Sequence, residues 1–278
     1  MENKRKYKIV ASDLDGTLLN KEQSVSEENF CAISEIKRLG VEFVPTTGRS
    51  MNEVDPSLIN CPDIRYIITS NGAVAFDKNI GKTILTHYIS KDIVSLVLET
   101  VRPYNVFIVA KEGGKSYFDK NKYNTEFLNT CGIDAYFGHI ISKYAEAVDN
   151  FESFLLSSNE IEMIVMFFEF DEVTCYCKQI FEDSGKLCGA HANIGYLEVY
   201  SSDAGKGKAL IALADMLGID IADVIAVGDS KNDSSMIEEA VLGLAVANAC
   251  DALKELADQT ICDNSEHIAK YVLENFIL

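Results

Sequence analysis

The sequence predicts an α/β protein, a doubly wound parallel sheet interrupted by an inserted α+β domain. Short apolar runs alternate with helix-like segments at both ends of the chain. That alternation favours parallel strands with helices on both faces. From about residue 87 to 202 the rhythm changes to helices followed by neighbouring strands, which marks an α+β module. Glycine-rich and acidic motifs follow the apolar runs, where an open parallel sheet places its ligands. The expected arrangement is a Rossmann-like core of residues 1–83 and 203–278 with an insertion over 84–202.

Ile9-Val10-Ala11 ends at an acidic turn and reads as a buried strand. Ser26 fits an N-cap, with Glu27 and Glu28 in the first turn and Phe30, Ile33, Ile36 and Leu39 on one face; Gly40 stops this helix. Val41–Thr46 and Arg65–Ser70 read as the second and third strands. Asn71-Gly72 is a turn pair, and Val74–Phe76 with Thr83–Thr86 makes a small hairpin. The insertion carries a helix near 91–102, strands near 105–110 and 115–119, strand Met163–Phe168, a helix over 171–184, and strands near 186–191 and 196–200. The helix–strand–strand grouping occurs twice, a hint of duplication, and neighbouring strands imply antiparallel pairing. The α/β rhythm then returns. A helix over 206–217 has Leu210, Leu213, Ala214 and Leu217 on one face and stops at Gly218. After it come strand Val224–Val227, a helix near 233–240, strand Gly243–Val246, a helix over 251–257, strand Thr260–Cys262 and a helix over 265–276.

The 278 residues are 47% apolar and 24% charged, ordinary globular usage, and the formal net charge is −18. That charge argues against nucleic acid or an anionic membrane as a main partner, since both need a positive field. The basic run Lys4-Arg5-Lys6 is followed only by Ile9-Val10-Ala11 before Asp13, too short for an export signal, and reads as a solvated lead-in to a strand. No stretch is apolar enough to span a membrane. Eight cysteines show no CxxC or zinc-like spacing, and Cys175-Tyr176-Cys177 reads as part of a helix face. Reduced thiols in a cytoplasmic protein are expected. His87, His139, His191 and His267 have no partner spacing, Met163 and Met166 read as core, and Lys111-Glu112-Gly113-Gly114-Lys115 reads as a hairpin turn.

Four motifs carry chemistry. Asp13-Leu14-Asp15-Gly16-Thr17 places two acids one residue apart directly after a buried strand. A carboxylate attacks phosphorus without prior activation, and a second one with a raised pKa serves as general acid and base. Thr46-Thr47-Gly48-Arg49 combines a hydroxyl with backbone N–H groups at a glycine turn, a neutral anion cradle. Gly205-Lys206-Gly207-Lys208 opens a helix, but Tyr200 stands where a P-loop needs its first glycine. A lysine at a helix N-terminus opposes the dipole and asks for an anion or carboxylates to compensate. Gly228-Asp229-Ser230-Lys231-Asn232-Asp233 sets two acids four apart after a strand, suited to a hard cation. Each motif alone has an ordinary reading as a turn or cap. Together they would crowd Asp13, Asp15 and Asp229 into one cleft, which costs energy unless a cation such as Mg²⁺ intervenes.

In this order the motifs resemble those of the haloacid dehalogenase superfamily of phosphohydrolases. Ser70-Asn71-Gly72-Ala73, Val246-Ala247-Asn248-Ala249 and an insertion between the second and third motifs resemble its Cof-type branch, which carries a large α/β cap. The resemblance covers essentially the whole chain, although the cap matches in layout only. It implies that Asp13 is the nucleophile and forms an aspartyl-phosphate, while Asp15 protonates the leaving oxygen and then activates water. It implies Mg²⁺ on Asp13, the Asp15 backbone carbonyl and Asp229, with Asp233 a ligand through water or a support. Leu14, Thr47, Gly48, Lys206 and Asn232 would hold the phosphoryl group. The implied reaction is Mg²⁺-dependent hydrolysis of a small phosphorylated metabolite, a sugar phosphate or a nucleotide- or cofactor-like phosphate, by a monomer or small homo-oligomer. A phosphomutase and a non-catalytic phosphate-metabolite sensor are the alternatives. Two departures stand out. Branch members often have Met-Gly-Asn-Ala at 246–249, and Asn264-Ser265-Glu266-His267-Ile268 lacks the glycine often found before the apolar residue. Both are expected to affect local packing, outside the phosphoryl site.

Overall fold

The computed structural model of the chain describes residues 7–278; the basic run Lys4-Arg5-Lys6 and the side chain of His191 lie outside the described residues. In chain order the elements begin with β1 (Ile9–Ser12), α1 (Glu27–Arg38), β2 (Glu42–Pro45), α2 (Pro56–Asn60), β3 (Tyr66–Thr69), β4 (Val74–Asp77) and β5 (Lys82–Thr86). Next are α3 (Lys91–Val101), β6 (Val106–Glu112), β7 (Lys115–Asp119), α4 (Thr125–Thr130), α5 (Ala135–Tyr144), β8 (Ala145–Val148) and α6 (Phe151–Ser157). Then follow β9 (Ile161–Phe168), α7 (Asp171–Asp183), β10 (Leu187–Asn193), β11 (Tyr196–Ser201), α8 (Lys206–Leu217) and β12 (Val224–Gly228). The chain closes with α9 (Ser234–Glu239), β13 (Leu242–Ala245), α10 (Asp251–Leu256), β14 (Gln259–Thr260) and α11 (Ile268–Val272).

These elements form two compact units. The first draws on the chain up to Gly48, Val54–Leu85 and Gly205–Leu278; the second comprises Arg49–Glu53 and Thr86–Ala204. Arg49–Glu53, which the sequence alone places in the core, thus packs with the inserted segment.

The first unit is built on a five-stranded sheet ordered β14-β13-β12-β1-β2, with parallel pairing throughout. Ser12 is level with Val227 on one side and Pro45 on the other. β1 and β12 are buried along their whole length, as strands covered on both faces must be. The Ser26 hydroxyl accepts from the Asn29 amide to cap α1, and Gly40 beyond its end adopts φ +80°.

The third strand departs from expectation. β3 pairs antiparallel with β4 in a separate three-stranded sheet, β3-β4-β5, and touches the main sheet through a single parallel bridge between Thr46 and Ile68. Proline explains it. The amides of Glu42 and Thr46 both donate toward β1, so residue 45 faces the β3 side, and Pro45 has no N–H to donate there.

The second unit is a six-stranded sheet ordered β10-β11-β9-β6-β7-β8. Central β9 is buried at every residue and feeds two cores. Ile164, Met166 and Phe168 join Val94, Val97, Phe151, Leu155 and Phe181 on one face. Met163, Val165 and Phe167 join Phe107, Phe118, Cys131 and Ile141 on the other. Antiparallel pairing is not universal here: β7 and β8 run parallel, joined across α4 and α5. The two helix–strand–strand groups are not placed alike. The first strand of one (β6) and the second strand of the other (β11) flank β9.

The β6–β7 turn, Gly113-Gly114, has φ values of +57° and +78°, and beside it lies a buried polar cluster. Lys111 Nζ donates to Glu53 Oε2 at 2.9 Å. Ser116 Oγ donates to Glu53 Oε1 at 2.6 Å and the Ser50 amide to Oε2 at 3.0 Å. This cluster fastens Arg49–Glu53 to the second unit. None of the eight cysteines is in a disulfide, and among the described residues no helix is long and apolar enough to cross a membrane.

Candidate active site

Parallel register brings the motifs together. Asp13 and Asp229 directly follow the neighbouring strands β1 and β12, and Thr46 follows β2 on the other side of β1. Three segments distant in sequence therefore emerge side by side at the carboxyl edge of the sheet. The Asp13 amide donates to the Val227 carbonyl at 2.9 Å, which fixes the turn as it leaves β1. Leu14 is wholly buried, so only its backbone can serve a ligand. Gly16 has φ +78°, and a Cβ there would lie 2.4 Å from Asp229 Oδ2. Glycine lets the Asp13–Thr17 loop close onto the Asp229 carboxylate.

Lys206 opens α8 and its side chain is completely buried. Its Nζ lies 2.6 Å from Asp13 Oδ1 and 2.6 Å from Asp233 Oδ1. These two carboxylates provide the compensation that a cation at a helix N-terminus requires. The second oxygen of Asp233 accepts from the Asp229 and Ser230 amides, both at 3.0 Å. Asp233 thus holds the Lys206 ammonium with one oxygen and the strand-to-helix turn with the other.

The electrostatics are those of too many carboxylates in too little solvent. Burial pushes the Asp13 carboxyl up, Lys206 pulls it down, and Asp233, Asp229 and Asp15 push it up again, leaving it well above the usual range. Burial and then Asp233 push Asp229 up to about 7, against the pull of Lys206. For Lys206 burial works against the charge, but Asp13 and Asp233 outweigh it and raise the ammonium above its ordinary value. Asp13, Asp229 and Asp233 each offer an oxygen, with these atoms within 4.8 Å of one another. An all-oxygen anionic set this tight fits a small hard divalent cation, whose charge would return the carboxylates to their ionised forms.

Thr47 is buried beside this cluster's edge of the sheet. Its amide donates to the Ile68 carbonyl at 2.9 Å. The amide expected in an anion cradle is committed to the sheet. Asn232 engages both ends of its carboxamide: Oδ1 accepts from Ser230 Oγ at 2.6 Å, and Nδ2 donates to Asn71 Oδ1 at 3.2 Å. A Cβ at Gly48 would sit 2.9 Å from that same Asn71 oxygen.

Three asparagines take contacts that the sequence did not assign. Asn71, read as half of a turn pair and as part of the Ser70–Ala73 resemblance but given no role, lies between Gly48 and Asn232. Asn248 donates from Nδ2 to the Gly16 carbonyl at 2.7 Å and accepts the Asn264 amide at 3.0 Å, while Asn264 Nδ2 donates to the Leu19 carbonyl at 2.8 Å. The 246–249 and 264–268 segments are therefore not remote from the site but brace the loop that carries Asp13 and Asp15. The missing glycine has a local explanation: His267 itself takes the left-handed φ of +62°, with Nδ1 held 2.8 Å from Ser26 Oγ.

Comparison with known proteins agrees with this geometry. The sequence profile of the haloacid dehalogenase-like hydrolases matches residues 10–272. Phosphatase YwpJ of Bacillus subtilis is 30% identical, with 97% of this chain and 100% of the relative aligned. The 5-amino-6-(5-phospho-D-ribitylamino)uracil phosphatase YwtE of the same organism is 28% identical over 97% and 98% of the two chains. Among solved structures, a haloacid dehalogenase-like hydrolase from B. subtilis superposes with a TM-score of 0.83 at 28% identity, covering 96% of this chain and 99% of that one.

Proposed function

The chain belongs to the haloacid dehalogenase-like hydrolase family, as one of its phosphatases, and on that premise we propose a Mg²⁺-dependent hydrolysis of a small phosphorylated metabolite through Asp13. The observation that carries this reading is the buried Lys206 ammonium clamped between Asp13 and Asp233, beside Asp229. A sugar phosphate or a nucleotide- or cofactor-like phosphate is the proposed substrate class, within which the ribitylaminouracil phosphate named for YwtE falls.

One Asp13 carboxylate oxygen attacks phosphorus, and the P–O bond to the organic group breaks. Asp15 gives its proton to the departing oxygen, releasing the alcohol and leaving an aspartyl-phosphate on Asp13. Asp15, now ionised, takes a proton from water; the hydroxide oxygen bonds to phosphorus and the acyl-phosphate P–O bond breaks, which returns the Asp13 carboxylate and free phosphate. Lys206, the Thr47 hydroxyl, the backbone at Leu14 and Gly48, and Asn232 hold the phosphoryl oxygens where charge accumulates. Asp13, the Asp15 carbonyl and Asp229 would hold Mg²⁺, which when bound neutralises charge on the phosphoryl group. Asp233 acts as a support, because its two oxygens are engaged by Lys206 and by two backbone amides. The second unit is proposed to carry the determinants of which organic group is accepted.

A panel of phosphorylated metabolites assayed with Mg²⁺ and ranked by kcat/KM tests the reading. Asp13→Asn is expected to be inactive toward every substrate that the wild-type protein hydrolyses. An acid quench of the wild-type reaction is expected to trap one phosphoryl group on Asp13. Turnover by Asp13→Asn would remove Asp13 as nucleophile.

A further inference from the structure

Ser70, Asn71 and Gly72 adopt φ values of +51°, +53° and +88° in succession. Three left-handed residues in a row are rare, because each non-glycine residue there costs on the order of 1–3 kcal/mol. All three are buried, so solvent exposure does not relieve the turn. Conformational cost of this kind persists where surrounding contacts impose it, and here the contacts belong to three separate motifs.

The Asn71 amide donates to the Thr47 carbonyl at 3.0 Å. The Asn71 side-chain oxygen accepts from Asn232 Nδ2 at 3.2 Å. Gly48 packs on that oxygen so closely that a Cβ would lie 2.9 Å from it. At Gly72 a Cβ would lie 2.3 Å from the Gly205 carbonyl oxygen and 3.0 Å from the Lys206 amide nitrogen. The turn is thus wedged against the segments that carry Thr47, Lys206 and Asn232.

We infer that Asn71 is a positioning residue that orients the Asn232 carboxamide and the Thr47–Gly48 turn as one cradle for the transferring phosphoryl group. This rests on the phosphoryl-transfer reading of the same site. The residue type follows from the two demands made of it. The backbone must sit in the left-handed region, which asparagine and glycine tolerate and glutamine does not favour. The side chain must offer a neutral acceptor, since an aspartate would place another negative charge beside a phosphoryl group already surrounded by carboxylates. With Ser230 holding one end of the Asn232 carboxamide and Asn71 the other, the amide is fixed against flipping. Preorganised dipoles of this kind cost no reorganisation as the transition state forms.

Asn71→Gly isolates the side chain, because glycine keeps the backbone conformation. It is expected to lower kcat/KM by about tenfold or more and to weaken inhibition by orthovanadate by a comparable factor, with the thermal midpoint little changed. In an Asn232→Ala background the same substitution is expected to cost several-fold less in kcat/KM, since the carboxamide its side chain holds is gone while the Gly48 contact remains. Asn71→Asp keeps the acceptor and the backbone preference, and is expected to fold as wild type with a raised KM. Wild-type kinetics in Asn71→Gly, equal losses in both backgrounds, or a wild-type KM in Asn71→Asp would each overturn the assignment. Asp13→Asn separates the two readings. If it is inactive while Asn71→Gly behaves as wild type, only the positioning role fails; if it turns over, the phosphoryl-transfer reading fails and this one with it.

Discussion

Lys206 Nζ and Asp13 Oδ1 stand 2.6 Å apart across 193 residues of sequence, with the lysine side chain fully buried. A buried ammonium this close to two carboxylates is held by them and holds them. Lys206→Met keeps the length and removes the charge, leaving Asp13 and Asp233 without their cation. Breaking a buried ion pair from one side costs about 3–5 kcal/mol. Losing a fixed charge aimed at the phosphoryl oxygens costs at least about 100-fold in kcat. Urea unfolding with and without Mg²⁺ reads the first effect, which the added cation should partly offset. A variant with wild-type stability and rate would refute the role given to Lys206.

Asp229 and Asp233 are four residues apart but differently employed. Asp233 spends one oxygen on Lys206 and the other on two amides, whereas the Asp229 carboxylate sits against Gly16, beside the Asp13 loop. Asp229→Asn is therefore expected to weaken Mg²⁺ binding by about 100-fold, and Asp233→Asn by less than about tenfold while lowering kcat through Lys206. Calorimetric titration with Mg²⁺ measures both. The reverse ranking would make Asp233 the ligand and Asp229 the support.

Protons and the metal compete for the same oxygens. Burial and Asp233 push Asp229 up to about 7, and Asp13 is also raised, so these carboxylates hold protons that a cation must displace. The sign follows: Mg²⁺ affinity rises with pH through about 7, and binding near neutrality releases protons. Titrations in buffers of different ionisation enthalpy count those protons. A pH-independent affinity between 5.5 and 8 would contradict the crowding.

Residues whose neighbours in sequence mark them as candidates were legible without a structure. Asp13, Asp229 and Thr47 end apolar runs, and a parallel sheet must collect such ends along one edge. Lys206 was legible because a cation at a helix N-terminus needs an explanation, and Asp13 and Asp233 supply it. What escaped is what depends on long-range contact. Asn71 reads as a turn residue within a family motif, with no role, until its oxygen is seen between Gly48 and Asn232. Asn248 and Asn264 lie in segments that the sequence assigns only to local packing, until they are seen to donate to the carbonyls of Gly16 and Leu19. The helices α4 and α5 are absent from the sequence reading; α4 has only six residues, whereas α5 carries a regular stripe of Phe137, Ile140, Ile141 and Tyr144 that marks it as helical. Asn124 and Asp134 cap them, accepting from the amides of Phe127 and Phe137. The separation of β3 from the main sheet turns on the missing N–H of one residue, Pro45, whose facing no periodicity reveals.

Glu53 is the acid whose titration bears on folding rather than chemistry. Burial alone would raise its pKa, but Lys111 at 2.9 Å, with hydrogen bonds from Ser116, Lys111 and the Ser50 amide, wins and leaves it below the ordinary value. A carboxyl depressed in the folded state stabilises the fold at pH values above its unfolded pKa, about 4.3 for glutamate, and that contribution disappears as pH falls through the folded value. Glu53→Gln removes a buried negative charge from beside Lys111, so at pH 7 it is expected to destabilise the protein by about 3–5 kcal/mol. The gap between wild type and variant should begin to shrink as pH falls below the unfolded glutamate value of about 4.3 and disappear once pH passes the lower folded value. Because Glu53 ties Arg49–Glu53 to the second unit, proteolysis at this segment should quicken in the variant at neutral pH. Urea midpoints for both proteins from pH 3 to 8 decide the matter: a difference that stays constant or grows on acidification would mean that the charge of Glu53 contributes nothing.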